Sequence, residues 1–127
     1  MSKSSNVREL KDRRKQRGTV GETLAAEFLE KNGLKVLERN YRFERGEIDI
    51  VAEDGRELVF VEVKARRTTS YGEPIEAVDA NKQAQLRKIA EGYLFEHHLE
   101  HRPCRFDVVA IFFHNGKADI KHFKHAF

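Results

Sequence analysis

Apolar residues recur along this chain with two different periods, and the points where the period changes mark the elements. From Gly18 to about Lys31 the spacing is helical. Val20, Leu24 and Phe28 form a stripe with Ala25 and Leu29 less central, and Asn32-Gly33 supplies a C-terminal stop. Gly21 lies within that stripe, where a missing side chain lets the helix approach a sheet closely. Leu34 to Arg42 reads as a first strand and its exit. Ile48, Ile50, Val59, Val61 and Val63 then alternate at period two around Asp54-Gly55, a strong hairpin signal. Asp79 suits the N-cap of a helix running to about Leu99, whose buried stripe is Leu86, Ile89, Ala90, Tyr93 and Leu94. Arg105 to Phe113 reads as a strand covered on both faces, His114-Asn115-Gly116-Lys117 as a second tight turn, and Asp119 to Phe123 as a last strand. Helix, three strands, helix and two strands predict an α/β arrangement with a mixed sheet of about five strands flanked by helices.

The first hairpin concentrates charge. With Asp54-Gly55 as its loop, or with the loop widened to Glu53 to Arg56, Ile48 opposes Val61 and Ile50 opposes Val59, giving one apolar side. On the other side Glu47 opposes Glu62, Asp49 opposes Phe60 and Arg45 opposes Lys64, while Asp49 and Glu62 are diagonal neighbours roughly 7–8 Å apart. A three-residue loop would flip these assignments. Carboxylates crowded in this way repel, and a divalent cation removes the conflict. Hard oxygen ligands suit Mg²⁺, which keeps positions for water and phosphate. Lys64, two residues beyond Glu62 on the same face, is placed to hold an attacking water or to neutralise charge on a phosphate. The plain alternative is a solvated sheet face with a Glu-Lys pair of little energetic weight.

Other residues extend that pattern. Glu22 falls at the edge of the first helix's stripe, leaning towards the sheet, although a glutamate in a first turn also suits the helix dipole. Arg39, Arg42 and Arg45 precede the acidic residues and Arg66-Arg67 follow Lys64, a rim of guanidinium groups suited to phosphate. Lys82 stands one turn before Leu86, where its amine can point along the sheet or snorkel into solvent. The polar loop from Thr68 to Pro74 leaves the Lys64 strand, so it can reach substrate, with Tyr71 available to stack on a base.

Length and charge narrow the classes. The 127 residues make one domain, with residues 1–17 as a basic, disordered or loosely helical arm and 18–127 as the folded unit. The arm carries net +5 and the remainder net −2, so the overall +3 does not make the body a basic protein, and affinity for nucleic acid must come from the arm and local patches. No apolar run is long enough to span a bilayer, and a cytoplasmic location is the expectation. Cys104, the single cysteine, reads as a small packed side chain rather than a nucleophile. His97, His98 and His101 read as a helix-end cluster rather than a zinc site. Asp107 reads as structural, paired with Arg105 or a helix end.

Gly46-Glu47-Ile48-Asp49 followed by Glu62-Val63-Lys64 resembles the PD-(D/E)-x-K nuclease signature, with Ile48 at the proline position. With Gly18-Thr19-Val20-Gly21-Glu22, Arg39-Asn40-Tyr41-Arg42, Arg105-Phe106-Asp107-Val108 and Ala126-Phe127, the pattern resembles the YraN family of small bacterial proteins, described as predicted endonucleases, over about residues 17–127. Archaeal Holliday-junction resolvases are similar in layout. The resemblance implies a restriction-endonuclease-like core and metal-dependent hydrolysis of DNA. Glu22, Asp49 and Glu62 would hold Mg²⁺ (or Mn²⁺), Glu47 would assist, and Lys64 would be catalytic. Arg42, Arg45, Arg66, Arg67 and Lys82 would contact nucleic acid, a lysine at the last position being part of the family pattern. Junction resolution by analogy implies a homodimer. The alternatives are a module that binds branched or single-stranded nucleic acid without cutting it, and an accessory protein whose arm docks a partner.

Overall fold

The computed structural model describes residues 20–67 and 78–127. The basic arm, the start of the first helix and the loop bearing Tyr71 lie outside the described residues. Residues 20–31 are helical (α1) and are followed by strands β1 (Lys35–Phe43), β2 (Gly46–Asp54) and β3 (Glu57–Arg67). Helix α2 (Ala80–Glu96) then leads to β4 (Cys104–His114) and β5 (Lys117–Phe123). The strands form one sheet in the order β1-β2-β3-β4-β5, antiparallel except for the parallel β3–β4 pair that α2 connects. This is the expected mixed five-stranded sheet flanked by helices, in the layout of a restriction-endonuclease-like core.

The helices cover opposite faces. Ala25, Ala26 and Leu29 of α1 pack with Ile50, Ala52, Val59, Val61, Val109 and Ile111. Leu86, Ile89, Ala90 and Tyr93 of α2 pack with Tyr41, Ile48, Val51, Phe60, Phe106 and Val108. Alternation along β3 and β4 sends neighbouring residues to different helices, which is why these strands read as continuous apolar runs. The buried stripe of α1 is centred on Ala25 and Leu29, not on Val20, which is 50% exposed. Gly21 does bring the helix close to the sheet, since a Cβ there would lie 3.3 Å from the Ala65 Cβ. Asp79 caps α2 as expected, its Oδ1 accepting from the Lys82 amide at 2.8 Å. Cys104 is exposed at the head of β4 rather than packed.

The first hairpin departs from expectation in two ways. Its loop is Gly55-Arg56, so Ile50 opposes Val61 and Ala52 opposes Val59. Gly55 has φ +63° and is the first loop residue, as a type II′ turn demands, whereas an Asp-Gly loop puts glycine second. The slip is two residues, so it preserves which side chains of β3 face each way. The second departure concerns Ile48, which packs under α2 while Ile50 packs under α1, so they do not share an apolar side. Asn40 of β1, at φ +55°, and Asp49 both drop out of the β1–β2 ladder between Arg39↔Ile50 and Tyr41↔Ile48. The faces of β2 differ on the two sides of that gap, although the pairing register is the same on both.

Buried charge stabilises the far end of the sheet. Asp107 is fully buried, and Arg105 Nε lies 3.0 Å from its Oδ1. Arg105 Nη1 also reaches Asp54 (3.0 Å) and Glu57 (2.8 Å), and His122 Nε2 lies 2.7 Å from Asp107 Oδ2. The Asp107–Arg105 pairing matches the sequence reading; the involvement of Asp54, Glu57 and His122 was not foreseen.

Helix α2 is seated through Gly92. A Cβ there would stand 2.5–2.6 Å from three atoms of the Phe43 ring. Gly92→Ala is therefore expected to cost about 1–3 kcal/mol by overpacking, outweighing the better helix propensity of alanine. A lower denaturant midpoint at unchanged slope is the readout; an unchanged or higher midpoint would show that α2 shifts freely.

Candidate metal centre at the strand fork

The site lies where β2 and β3 part. Their ladder covers only Ile50–Asp54 against Glu57–Val61. Beyond it β2 continues beside β1 as far as Gly46, while β3 continues beside β4 as far as Arg67. Asp49 stands at the fork, and its Oδ2 accepts the Val63 backbone N–H at 2.8 Å. The side chain thus satisfies an amide of β3 where the two strands are no longer paired.

Four carboxylates converge here. One oxygen each from Glu22, Glu47 and Asp49 lies within 4.8 Å of the other two. Glu62 is hydrogen-bonded to Asp49 and lies 3.7 Å from the Lys82 ammonium. The trio whose oxygens converge in this way therefore includes Glu47, expected only as an auxiliary, with Glu62 joined to it through Asp49. Glu22 arrives from α1, held 3.8 Å from Arg39 Nη2, which also donates to the Thr23 hydroxyl at 3.1 Å. Elements from both sides of the sheet thus meet at one point.

The crowding appears in the proton affinity of Asp49, which is pushed up to about 8. Burial is the main cause, followed by the hydrogen bond with Glu62; the Val63 N–H pulls the other way, and repulsion from Glu62 and Glu22 adds to the rise. The donor set fits a hard divalent ion. Octahedral oxygens about 2.1 Å from Mg²⁺ lie roughly 3–4 Å apart, so small rotations of carboxylates already within 4.8 Å would close the shell.

A cleft of about 420 Å³ opens onto this cluster, lined by Glu47, Asp49 and Glu62 with Arg42, Arg45, Lys82 and Gln85 among the other walls. Of the residues expected to touch nucleic acid, Arg42, Arg45 and Lys82 line it. Arg42 Nη2 lies 3.3 Å from Glu47, with the guanidinium largely exposed. Arg66 and Arg67 are exposed at the end of β3 and lie outside the cleft lining. Lys64 is half-buried on β3 opposite Ala110 and is not among the residues that line the cleft. Gln85, one turn beyond Lys82, lines the cleft and was not foreseen; its spacing from Lys82 was the available signal, but only the position of α2 gives it meaning. His97 stacks on Tyr93 and its Nδ1 lies 3.0 Å from the Tyr93 carbonyl.

A five-stranded mixed sheet sandwiched by two helices, with acidic side chains gathered where two strands diverge, defines an α/β protein with a restriction-endonuclease-like core. Sequence comparison gives the family. The profile of "Uncharacterised protein family UPF0102" matches residues 21–111, and the chain belongs to that family. A UPF0102 protein of Moorella thermoacetica is 50% identical over 98 residues, covering 77% of this chain and 82% of its own length. One from Syntrophotalea carbinolica is 47% identical over 110 residues (87% and 89%), and one from Symbiobacterium thermophilum is 53% identical over 94 (74% and 80%). The resemblance to the YraN family carried by the motifs is thereby borne out. Among the described residues no helix is long and apolar enough to cross a membrane.

Proposed function

We propose that this protein is a metal-dependent endonuclease that hydrolyses phosphodiester bonds in DNA, branched or junction DNA included. The observation that carries the proposal is that Glu47, Asp49 and Glu62 line one cleft beside the Lys82 ammonium, with a Glu22 oxygen converging on those of Glu47 and Asp49. Binding alone gains nothing from carboxylates placed where phosphates approach. A metal ion gives such a cluster a purpose.

Glu22, Asp49 and Glu62, assisted by Glu47, would hold Mg²⁺ or Mn²⁺, which supplies Lewis-acid stabilisation of the transition-state charge on the phosphate. The Val63 N–H fixes one Asp49 oxygen, leaving the other to face the cluster. Lys82 holds Glu62 in place and adds positive charge where the phosphate enters. Arg42 and Arg45, on the cleft wall, pair with backbone phosphates, and Arg66 and Arg67 extend that contact along β3. Lys64 positions the attacking water or stabilises the pentavalent phosphate. If the junction analogy holds, the working species is a homodimer with two such sites.

The test is cleavage of duplex, single-stranded and four-way-junction DNA with Mg²⁺, Mn²⁺ or EDTA. The proposal expects cation-dependent cleavage that disappears in Glu62→Ala and Lys64→Ala. Cleavage that persists in both variants, or binding without any cleavage, would refute it; the second outcome is that of a non-catalytic nucleic-acid module.

A further inference from the structure

A second cavity of about 500 Å³ adjoins the acidic cleft and shares Glu44, Arg45, Gly46 and Gln85 with it. Its chemistry differs. Phe43 and Ile89 give it an apolar floor, Gln85 presents an amide, and Lys88 stands at the rim, 3.1 Å from Glu44 in a pair that is largely exposed and readily opened. Its volume falls in the range of small-molecule sites, roughly 300–1,000 Å³. No carboxylate of the fork lines it, and Arg45 alone of its lining is used by the proposed nuclease function.

We infer that this chamber receives an unpaired nucleobase from a nucleotide flanking the phosphate held in the acidic cleft, so the preferred substrate is nucleic acid with a single-stranded or frayed segment at the cutting point. The inference rests on the reading that the neighbouring cleft takes a phosphate. Three features specify the occupant. The two chambers share Arg45, Gly46 and Gln85 in their walls, so they stand side by side and one strand can lie across both. The partly buried Phe43 ring and Ile89 offer an apolar surface against which any base can lie, while Arg45 and Lys88 meet the phosphates on either side of it. The Gln85 amide provides both a donor and an acceptor to a base edge. A base within duplex DNA has both faces stacked and its pairing edge occupied, so it cannot enter without being unpaired.

The experiment compares the affinity of the full-length protein for a fluorescent single strand, a strand of equal length carrying abasic sugars throughout, and a fully paired duplex. Measurements in EDTA and in Ca²⁺ separate binding from cutting, and DNA and RNA versions distinguish the source of the base. The single strand should bind about tenfold or more tighter than the abasic strand, as expected from stacking of one base. In Gln85→Trp, an exposed helix position whose indole would fill the chamber, that preference should collapse. Equal affinity for normal and abasic strands, no binding of either, or a preference unaltered in Gln85→Trp would overturn the inference. A base preference without cleavage in Mg²⁺ would keep the chamber and remove the nuclease reading; cleavage without a base preference would do the reverse.

Discussion

Replacing Asp49 with Asn is expected to abolish metal-dependent cleavage, by about a thousandfold or more, while making the metal-free protein more stable above neutral pH. The first effect follows from removing one charged ligand, because the several kcal/mol that a cation contributes to the transition state correspond to about three orders of magnitude in rate. The second follows from linkage. Asp49 has its proton affinity raised to about 8 in the folded protein, against an ordinary carboxylate value near 4 when unfolded. The folded state therefore binds this proton more tightly. Its contribution to stability is fully present below about pH 4, declines as pH rises, and is lost above about pH 8. Asparagine carries no charge and its carbonyl still accepts the Val63 N–H. The variant should thus exceed the parent by on the order of 2 kcal/mol at alkaline pH in EDTA, with the gap narrowing under acid. Thermal melts across pH, beside the cleavage assay, read both effects. Inactivation without alkaline stabilisation would mean that the carboxylates are not in conflict.

Arg105→Met is expected to be the most destabilising single change away from the fork. It would strip Asp107, which is fully buried, of its guanidinium partner and leave Asp54 and Glu57 unpaired beside it. Breaking a buried pair from one side costs about 3–5 kcal/mol, which for a chain of this size lowers the melting temperature by roughly 10–20 °C. Arg102→Met is the internal control. Arg102 binds Glu53 at 2.8 Å and the Arg56 carbonyl, but nearer solvent, and should cost about 1 kcal/mol. The Arg105 network also sets an acid limit. Burial pushes the Asp107 carboxyl up, but hydrogen bonds from His122, Arg105 and the His125 amide outweigh it and hold it below the ordinary range. Its stabilisation is therefore present above about pH 4 and lost as pH falls through the lowered value. Denaturant melts should show a steep acid limb in the parent and a shallower one in Arg105→Met; equal losses for Arg105→Met and Arg102→Met would contradict the buried network.

The elements were legible in the sequence because their signals are local. Alternation in β3, the Asp79 cap, the Asn32-Gly33 stop and the Asn115-Gly116 turn each depend on a few neighbouring residues, and each stands where its chemistry places it. Two features were not legible, and both arise between strands. The Gly55-Arg56 loop shifts the pairing by two residues from that of an Asp54-Gly55 loop, and since both registers keep the same side chains on each face, the pattern of apolar residues does not distinguish them. The reversal of Ile48 coincides with a gap in the β1–β2 ladder where Asn40 takes a left-handed conformation, a feature of the neighbouring strand. In the site, Asp49 and Glu62 were drawn together by hairpin geometry alone, and Glu22 by its helical phase. The prominence of Glu47 and the part of Gln85 required the fork and the seat of α2 to be seen. The Arg105 network lies across strand ends far apart in sequence, so only Arg105 and Asp107, two residues apart, announced it.

Calorimetric titration of Mn²⁺ or Mg²⁺ into the protein, in buffers of different ionisation enthalpy, tests the fork as a metal centre most directly. The account predicts saturable binding at pH 7 with release of up to about one proton, fading as pH rises past the Asp49 value near 8 and absent in Asp49→Asn. No saturable heat, or binding that Asp49→Asn and Glu62→Gln leave unchanged, would contradict it.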